Sequence, residues 1–278
     1  MTIRPLTAAD IPFGLRLSAQ NNWNQVEADW KRQLALEPTG GFVAEHDGLP
    51  IGTACACVFD DVAWISLVLV DRDHRRQGVG TALMRHVLDY VDGRGAVSVR
   101  LDATSLGLPV YEKLGFVGDF SLARYEGLAR SPNVGPGTIA PITMADLPAI
   151  FTLDASVTHT RREKLLRRLF DGDSAMPRKY EWAGRLMGYS FARPGANAWH
   201  IGPIQGTPDA GRALLLNAAQ RFAGRRIYVD IPTDNGVAIS VVDSLGLAPQ
   251  RTFLRMTRGP QVRENLAMFF AAFGPEKG

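Results

Sequence analysis

The sequence is poor in the residues that bind metals, form disulfides or cross membranes. It holds two cysteines, Cys55 and Cys57, and five histidines in 278 residues. The cysteines stand two apart in what reads as a strand, so their side chains share a face and run roughly parallel, a poor arrangement for a disulfide. No further Cys or His lies at metal-ligand spacing. The pair therefore reads as small buried hydrophobes, a catalytic thiol being the remote alternative, and no metal is expected. The longest apolar stretch, Val62–Val70, is interrupted by Ser66 and far too short to span a bilayer, and residues 1–5 lead into no apolar signal core. The expected compartment is the cytoplasm, with no membrane partner. An excess of one charge is also missing, the net value being +3. Basic clusters at 72–76, 161–168 and 225–226 carry no interleaved aromatics and no nucleic-acid motif, so no nucleic-acid partner is expected. The second cluster has helical spacing and reads as a solvated face.

What is present is an ordinary globular composition, 46% hydrophobic and 21% charged, in a chain long enough for two domains. An internal repeat sets the division. Thr2-Ile3-Arg4-Pro5-Leu6-Thr7-Ala8-Ala9-Asp10-Ile11-Pro12 recurs as Thr138-Ile139-Ala140-Pro141-Ile142-Thr143-Met144-Ala145-Asp146-Leu147-Pro148, an offset of 138 − 2 = 136 residues. Gly48 and Gly52 fall on Gly184 and Gly188 at that offset. With small gaps, Ala63-Trp64 meets Ala198-Trp199, and Leu114-Gly115-Phe116 meets Leu245-Gly246-Leu247. Residues 128–137, rich in Pro, Gly, Ser and Asn, read as a linker. The expected domains are 1–127 and 138–278.

The run Arg75-Arg76-Gln77-Gly78-Val79-Gly80 lies between the apolar stretch 62–70 and the amphipathic stretch 81–91, and reads as a strand, a Gly-rich turn and a helix start. Glycines at 78 and 80 let the backbone approach a ligand and aim successive N–H groups into one concavity, where unpaired first-turn amides and the helix dipole favour an anion. The spacing fits neither the dinucleotide fingerprint nor a P-loop. A solvated basic turn is the plain alternative. The loop resembles the R/Q-x-x-G-x-G/A pyrophosphate loop of the GNAT N-acetyltransferase superfamily, with Arg75, Gly78 and Gly80 at its defining positions. Residues 62–70 and 97–102 look like the family's central parallel strands. Tyr111-Glu112-Lys113-Leu114-Gly115-Phe116 looks like the element that closes its fold.

The resemblance implies an α/β (α+β) class: two tandem GNAT folds, each a mixed, mostly antiparallel sheet with a splayed parallel strand pair flanked by helices. It implies an acyltransferase with acetyl-CoA as co-substrate, held by the backbone of Val68, Leu69 and Val70 along pantetheine and by Arg75, Arg76, Gln77, Gly78, Val79 and Gly80 at the pyrophosphate. The acceptor implied is a primary amine, with a small molecule favoured, and Tyr111 is the candidate acid for the departing thiolate. A tyrosine merely packed on the 114–116 turn is the structural alternative for that residue. Thr104 stands where the family often carries an asparagine that bonds pantetheine.

Asn22-Trp23-Asn24-Gln25 lies where the family forms its acceptor loop. A helix-capping turn anchored by Trp23 fits those residues equally well. No clear base stands out, since Glu27, Asp29, Asp60 and Asp61 each also read as solvated carboxylates. In the second copy, 206–211 replaces the pyrophosphate loop, Asp209 would repel phosphate, Val242 replaces Tyr111, and Asn235 is kept. His200 reads as a strand residue rather than a base. That copy is expected to be degenerate, walling the acceptor side or stabilising the first. Within the superfamily the chain is similar to bacterial tandem proteins with a YitH-like C-terminal domain. The residues that carry this likeness include Asn22 to Gln25, Asp29-Trp30, Arg124-Tyr125, Asp230-Ile231-Pro232, Arg255-Met256 and Gly274-Pro275-Glu276-Lys277-Gly278. A non-catalytic acetyl-CoA sensor and a partner-binding scaffold are the readings from other classes.

Overall fold

In the computed structural model, which describes residues 1–130, 138–173 and 176–278, the chain forms two compact units. Each unit draws on more than one stretch of sequence. Unit 1 comprises Met1–Gly118, Met256–Gln261 and Pro275–Lys277; unit 2 comprises Asp119–Arg255, Val262–Gly274 and Gly278. The linker expected at 128–137 falls largely on 131–137, outside the described residues.

Unit 1 contains, in order, β1 (Thr2–Pro5), α1 (Ile11–Gln20), α2 (Glu27–Leu36), β2 (Gly41–His46), β3 (Leu49–Phe59), β4 (Val62–Val70), α3 (Val79–Gly93), β5 (Ser98–Ala103) and α4 (Leu108–Lys113). The strands run side by side as β1-β2-β3-β4-β5. Antiparallel pairing joins β1 through β4, and β4 pairs β5 in parallel. Both β3 and β4 are buried over most of their length, which is why they read as near-continuous apolar runs rather than alternating ones. Between α1, α2 and the sheet lies a core of Leu6, Ile11, Leu17, Trp30, Val43, Cys55, Leu67 and Leu69.

Unit 2 contains β6 (Val117–Leu128), β7 (Thr138–Pro141), α5 (Leu147–Thr158), α6 (Glu163–Arg168), β8 (Arg178–Trp182), β9 (Arg185–Arg193), β10 (Trp199–Gly206), α7 (Pro208–Arg221), β11 (Arg226–Pro232), α8 (Gly236–Ser244), β12 (Ala248–Arg258) and β13 (Phe269–Ala271), apart from the first two residues of β6 and the last three of β12. Its strand order is β12-β6-β11-β10-β9-β8-β7, with β13 also on β10. The second copy thus takes β6, the strand that follows the 111–116 element of the first, and pairs it antiparallel with β11 over seven residues, Arg226 to Pro232. Met256–Arg258, the end of β12, goes with unit 1, where Thr257 Oγ1 lies 3.3 Å from Arg100 Nε and the Pro260 carbonyl accepts from Ser98 Oγ.

The sequence repeat has a physical counterpart at the start of each copy. Asp10 accepts the Thr7 N–H at 2.8 Å and the Thr7 hydroxyl at 3.0 Å. Asp146 does the same for Thr143 at 2.7 and 2.8 Å. Both carboxylates hold the chain as it enters a helix whose first residues include proline. The basic cluster at 161–168 departs from the expected solvated face at one residue. Arg162 is buried and pairs with buried Asp154 at 2.7 Å, because α6 begins only at Glu163 and Arg162 sits before it, turned inward.

Candidate active site

The Gly-rich loop is built as the sequence suggests. Gly78 is the N-cap of α3, in the left-handed region at φ 82°, and an added Cβ would meet nothing within 4 Å, so the backbone faces open space. The first-turn amides of α3 lack intrahelical partners by geometry. Arg76 also takes a positive φ, 59°. Left-handed residues at 76 and 78, with Gln77 between them, give the alternating backbone from which a nest for an anion can be built. Arg75 does not reach out: its Nε donates to the Val70 carbonyl at 3.2 Å and its terminal nitrogen to Asn21 Oδ1 at 2.8 Å, so it ties the loop to β4 and to the end of α1. Gln77 donates to the Asp73 carbonyl at 3.1 Å. Arg76, Gln77 and Gly78 are exposed, while Val79 is buried under the loop.

Asp71, a residue the sequence reading passed over, anchors the other side. Arg16 donates to it at 2.6 Å and the Asp73 N–H at 3.2 Å. Burial pushes its carboxyl up, but those donors outweigh burial and hold it below the usual carboxylate range. Arg72 adds a bond to the Gln20 carbonyl. The residues fit a diphosphate: open backbone, a helix start, exposed Arg76, and a frame of hydrogen bonds and the Arg16–Asp71 ion pair around the loop.

Below the loop the parallel strands part. The pairing of β4 with β5 covers Val62↔Ser98, Ala63↔Val99 and Trp64↔Arg100, and both strands continue beyond it. Against β3, the register shifts between Thr53↔Leu69 and Cys55↔Ser66, so that two residues of β4, Leu67 and Val68, oppose the single Ala54. This is a β-bulge, and Leu67 carries it at φ 52°. The buried Thr53 hydroxyl donates to the Leu67 carbonyl at 2.8 Å and so secures the bulge. Val68, Leu69 and Val70 follow it and lead straight into the loop. Thr53 escaped the sequence reading because a lone threonine in an apolar strand carries no signal of its own.

Tyr111, on α4, is half-buried, with its ring edge-on to Phe116 at 6.1 Å and resting on Gly107, where an added Cβ would stand 2.7 Å from the ring. Burial pushes its phenol up to about 12. In the 22–25 loop, Asn22 is exposed at φ 52°, Trp23 packs against the unit 1 core, and Asn24 and Gln25 are buried. Gln25 Nε2 bonds Glu276 Oε1 of the same unit.

The candidate bases fare differently. Asp29 bonds the Val26 N–H at 2.8 Å and Arg32 at 2.7 Å, a helix-start role. Glu27 is exposed and pairs with Lys31. Asp60 and Asp61 are exposed in the β3–β4 turn, at the end of β4 remote from the bulge. Both cysteines are free and buried, and burial pushes Cys55 up to about 12, which argues against a nucleophilic thiol.

The second copy closes the corresponding place with its own chain. β10 pairs β11 in parallel over Trp199↔Ile227 to Ile201↔Val229, again three pairs. Past that point β13 pairs β10 antiparallel at Ile204 and Gln205, and the Ala272 N–H bonds the Asp230 carbonyl at 2.9 Å. At the helix start, Thr207 Oγ1 accepts the Ala210 N–H at 3.4 Å, and Phe270 lies so close to Gly211 that a Cβ there would stand 2.2 Å from its ring. Asn235 caps α8 and donates to the Leu266 and Phe269 carbonyls at 3.0 and 2.9 Å, holding the plug. Val242 is buried, as is His200, 3.9 Å from Asp230.

A strand pair that parts beside a bulge, above a Gly-rich helix start, defines a fold that carries acyl-CoA chemistry. The chain belongs to the GNAT acetyltransferase family, whose pattern it matches over residues 13–116, with a second acetyltransferase (GNAT) domain over 150–271. It is therefore an acyltransferase of two tandem GNAT domains, with acetyl-CoA as co-substrate. It is 26% identical over 237 residues to the uncharacterised N-acetyltransferase YitH of Bacillus subtilis, covering 83% of this chain and 81% of that one. Over 122 residues it is 32% identical to the ribosomal protein bS18 alanine N-acetyltransferase of Escherichia coli, covering 41% of this chain and 80% of that one. Among solved structures, a Pyrococcus horikoshii protein shares the fold at a TM-score of 0.87 and 23% identity, covering 100% of this chain and 95% of that one. A tandem GNAT protein from the clavulanic acid biosynthesis pathway does so at 0.66 and 16%, covering 94% and 99%. Among the described residues no helix is long and apolar enough to cross a membrane.

Proposed function

We propose that unit 1 alone carries the reaction, transferring acetyl from acetyl-CoA to a primary amine by direct attack, with a small molecule as the favoured acceptor. The observation that carries this is the stretch of β4 past Trp64, which leaves its parallel partner, bulges at Leu67 and runs into the Gly78 loop. Backbone groups of Val68, Leu69 and Val70 would pair with pantetheine as an added strand would, and the nest of 76–80 would hold the pyrophosphate. An N–H of this stretch would face the developing oxyanion, a donor worth ~3 kcal/mol.

The acceptor must arrive neutral, and an alkylamine of pKa about 10.4 must first give up its proton. Asn24 and Gln25, buried beside Trp23, are the polar groups that would receive it. Tyr111 would hand its proton to the thiolate. With its phenol pushed up to about 12 it stays protonated throughout the working range, as an acid must, yet transfer to a thiolate of pKa about 8.5 runs uphill by about 5 kcal/mol, so what it can add to the step is small.

Full-length protein assayed for free CoA thiol against polyamines, amino acids and a peptide with N-terminal alanine tests the reading. The peptide is included because the bS18 alanine relative is similar to unit 1. Turnover with the small amines is expected. Tyr111→Phe should lower kcat by roughly tenfold, below the usual ~100-fold or more of a general acid because its proton transfer is uphill, and leave the acetyl-CoA affinity intact. Turnover of the peptide alone would move the acceptor to a protein N-terminus, and an unchanged kcat in the variant would remove Tyr111 from the mechanism.

A further inference from the structure

Residues 275–277 form part of unit 1, and they bring a primary amine against α2 and β4. Lys277 is 3% exposed. Its Nζ donates to Gln33 Oε1 at 2.6 Å, on α2, and to Ser66 Oγ at 3.2 Å, on β4. Ser66 has a particular place in the strand. It lies two residues past Trp64, the last residue of β4 paired with β5, and one before Leu67, where the bulge sits. The amine is thus within hydrogen-bond distance of the run of β4 that leaves its partner. Glu276 is held by Gln25, one of the residues proposed above to receive the acceptor. Gln33 is itself fixed by a bond from its Nε2 to the Ala56 carbonyl at 2.7 Å.

A long side chain held between α2 and β4, with its neighbour bonded to the 22–25 loop, sets an amine beside the strand on which the reading above places the thioester. We propose that Lys277 is an acetyl acceptor in cis, so that the enzyme acetylates its own buried lysine at the unit 1 centre. The inference rests on the acetyltransferase reading above. In the step, the neutral Nζ uses its lone pair to form a C–N bond to the thioester carbonyl carbon, and the C–S bond breaks. Of the two protons that the ammonium loses overall, one goes to solvent before attack and one ends on the CoA thiolate. The products are N-ε-acetyl-Lys277 and CoA thiol. No further reactant is needed. The surroundings help the first proton leave: burial lowers the pKa of the amine below the ordinary lysine value, and nearby Arg32 adds to this, against the opposing pull of Cys57, Cys55 and Glu276.

The test is a mass map of the full-length protein before and after incubation with trideuteroacetyl-CoA, without any added amine. Acetyl at Lys277 is expected, either already present as purified or acquired as label. Its rate should exceed that at Lys31, Lys113, Lys164 or Lys179 by roughly tenfold or more, as positioning within the site provides. Gly78→Glu should lose the label at Lys277, and Lys277→Arg should release no CoA thiol when no other amine is supplied. Should Lys277→Arg fail to fold, the wild-type map still decides. Equal labelling of all lysines, or labelling undiminished in Gly78→Glu, would mean chemical acetylation and overturn the proposal. So would an unmodified Lys277 in a protein that acetylates added amines, and that result leaves the acetyltransferase reading standing. A protein that neither binds acetyl-CoA nor releases thiol with any amine would sink both.

Discussion

The two copies open the same seam and treat it in opposite ways. In each, a parallel pair holds for three residues, Val62 to Trp64 in one and Trp199 to Ile201 in the other. In unit 1, β4 then runs on through a bulge towards a glycine N-cap that faces open space. In unit 2 the chain returns as β13, pairs with β10 in the seam, and seats Phe270 on Gly211. Asn235, kept at the position where the family often carries an asparagine that bonds pantetheine, bonds the Leu266 and Phe269 carbonyls instead. Backbone donors and acceptors of a buried strand must be satisfied by something. A duplicated domain can fill this seam and keep its fold when its own sequence supplies that strand.

The largest expected effect attacks the open copy. Gly78→Glu places an L-residue at φ 82°, which costs ~1 kcal/mol, and sets a carboxylate where the backbone is proposed to hold the pyrophosphate. Losing two charge-assisted bonds at ~1.5 kcal/mol each weakens acetyl-CoA binding by about 100-fold. Calorimetric titration should show one acetyl-CoA per wild-type chain and none in the variant. Asp209→Ala, at the counterpart in unit 2, should change neither number. A stoichiometry of two in the wild type would break the comparison outright.

The plug comes next, since its effect falls on stability and leaves binding alone. Phe270 is fully buried, and Phe270→Ala should lower stability by ~3–5 kcal/mol, read as a shifted urea midpoint. The variant should still bind a single acetyl-CoA, because Thr207, Pro208 and Asp209 do not rebuild a cradle. A second molecule bound by the variant would show that the plug, and not the eroded loop, is what closed the site.

The unequal legibility of these features has physical causes. The 75–80 loop could be read because glycine at a left-handed N-cap leaves a mark in the sequence, and the repeat of Thr7 and Asp10 at Thr143 and Asp146 could be read because each pair does the same capping work. The plug could not. Phe269, Phe270 and Ala271 form a short apolar run with no counterpart in the first copy, and periodicity says nothing about which seam such a run fills. Arg162 read as solvated because its sequence neighbours are basic, whereas its partner, Asp154, lies on the preceding helix. Lys277 lies far along the chain from Gln33 and Ser66, and only the folded unit joins them.

The smallest effect is expected at the bulge, where the open copy depends on one hydroxyl. Thr53 is buried, and its bond to the Leu67 carbonyl holds a residue at φ 52° that regular strand pairing would otherwise pull straight. Thr53→Val keeps the shape and removes the donor, leaving a buried carbonyl unsatisfied at a cost of ~1–2 kcal/mol. Since Val68 to Val70 follow directly, any relaxation of the bulge moves the groups proposed to hold pantetheine, while Tyr111 and the 22–25 loop stay where they are. The expected signature is a rise of a few-fold in KM for acetyl-CoA with kcat and the amine KM little changed, roughly what ~1 kcal/mol of lost binding gives. A stability loss with both KM values untouched would make Thr53 a packing residue, and the bulge would then owe its geometry to β4 alone.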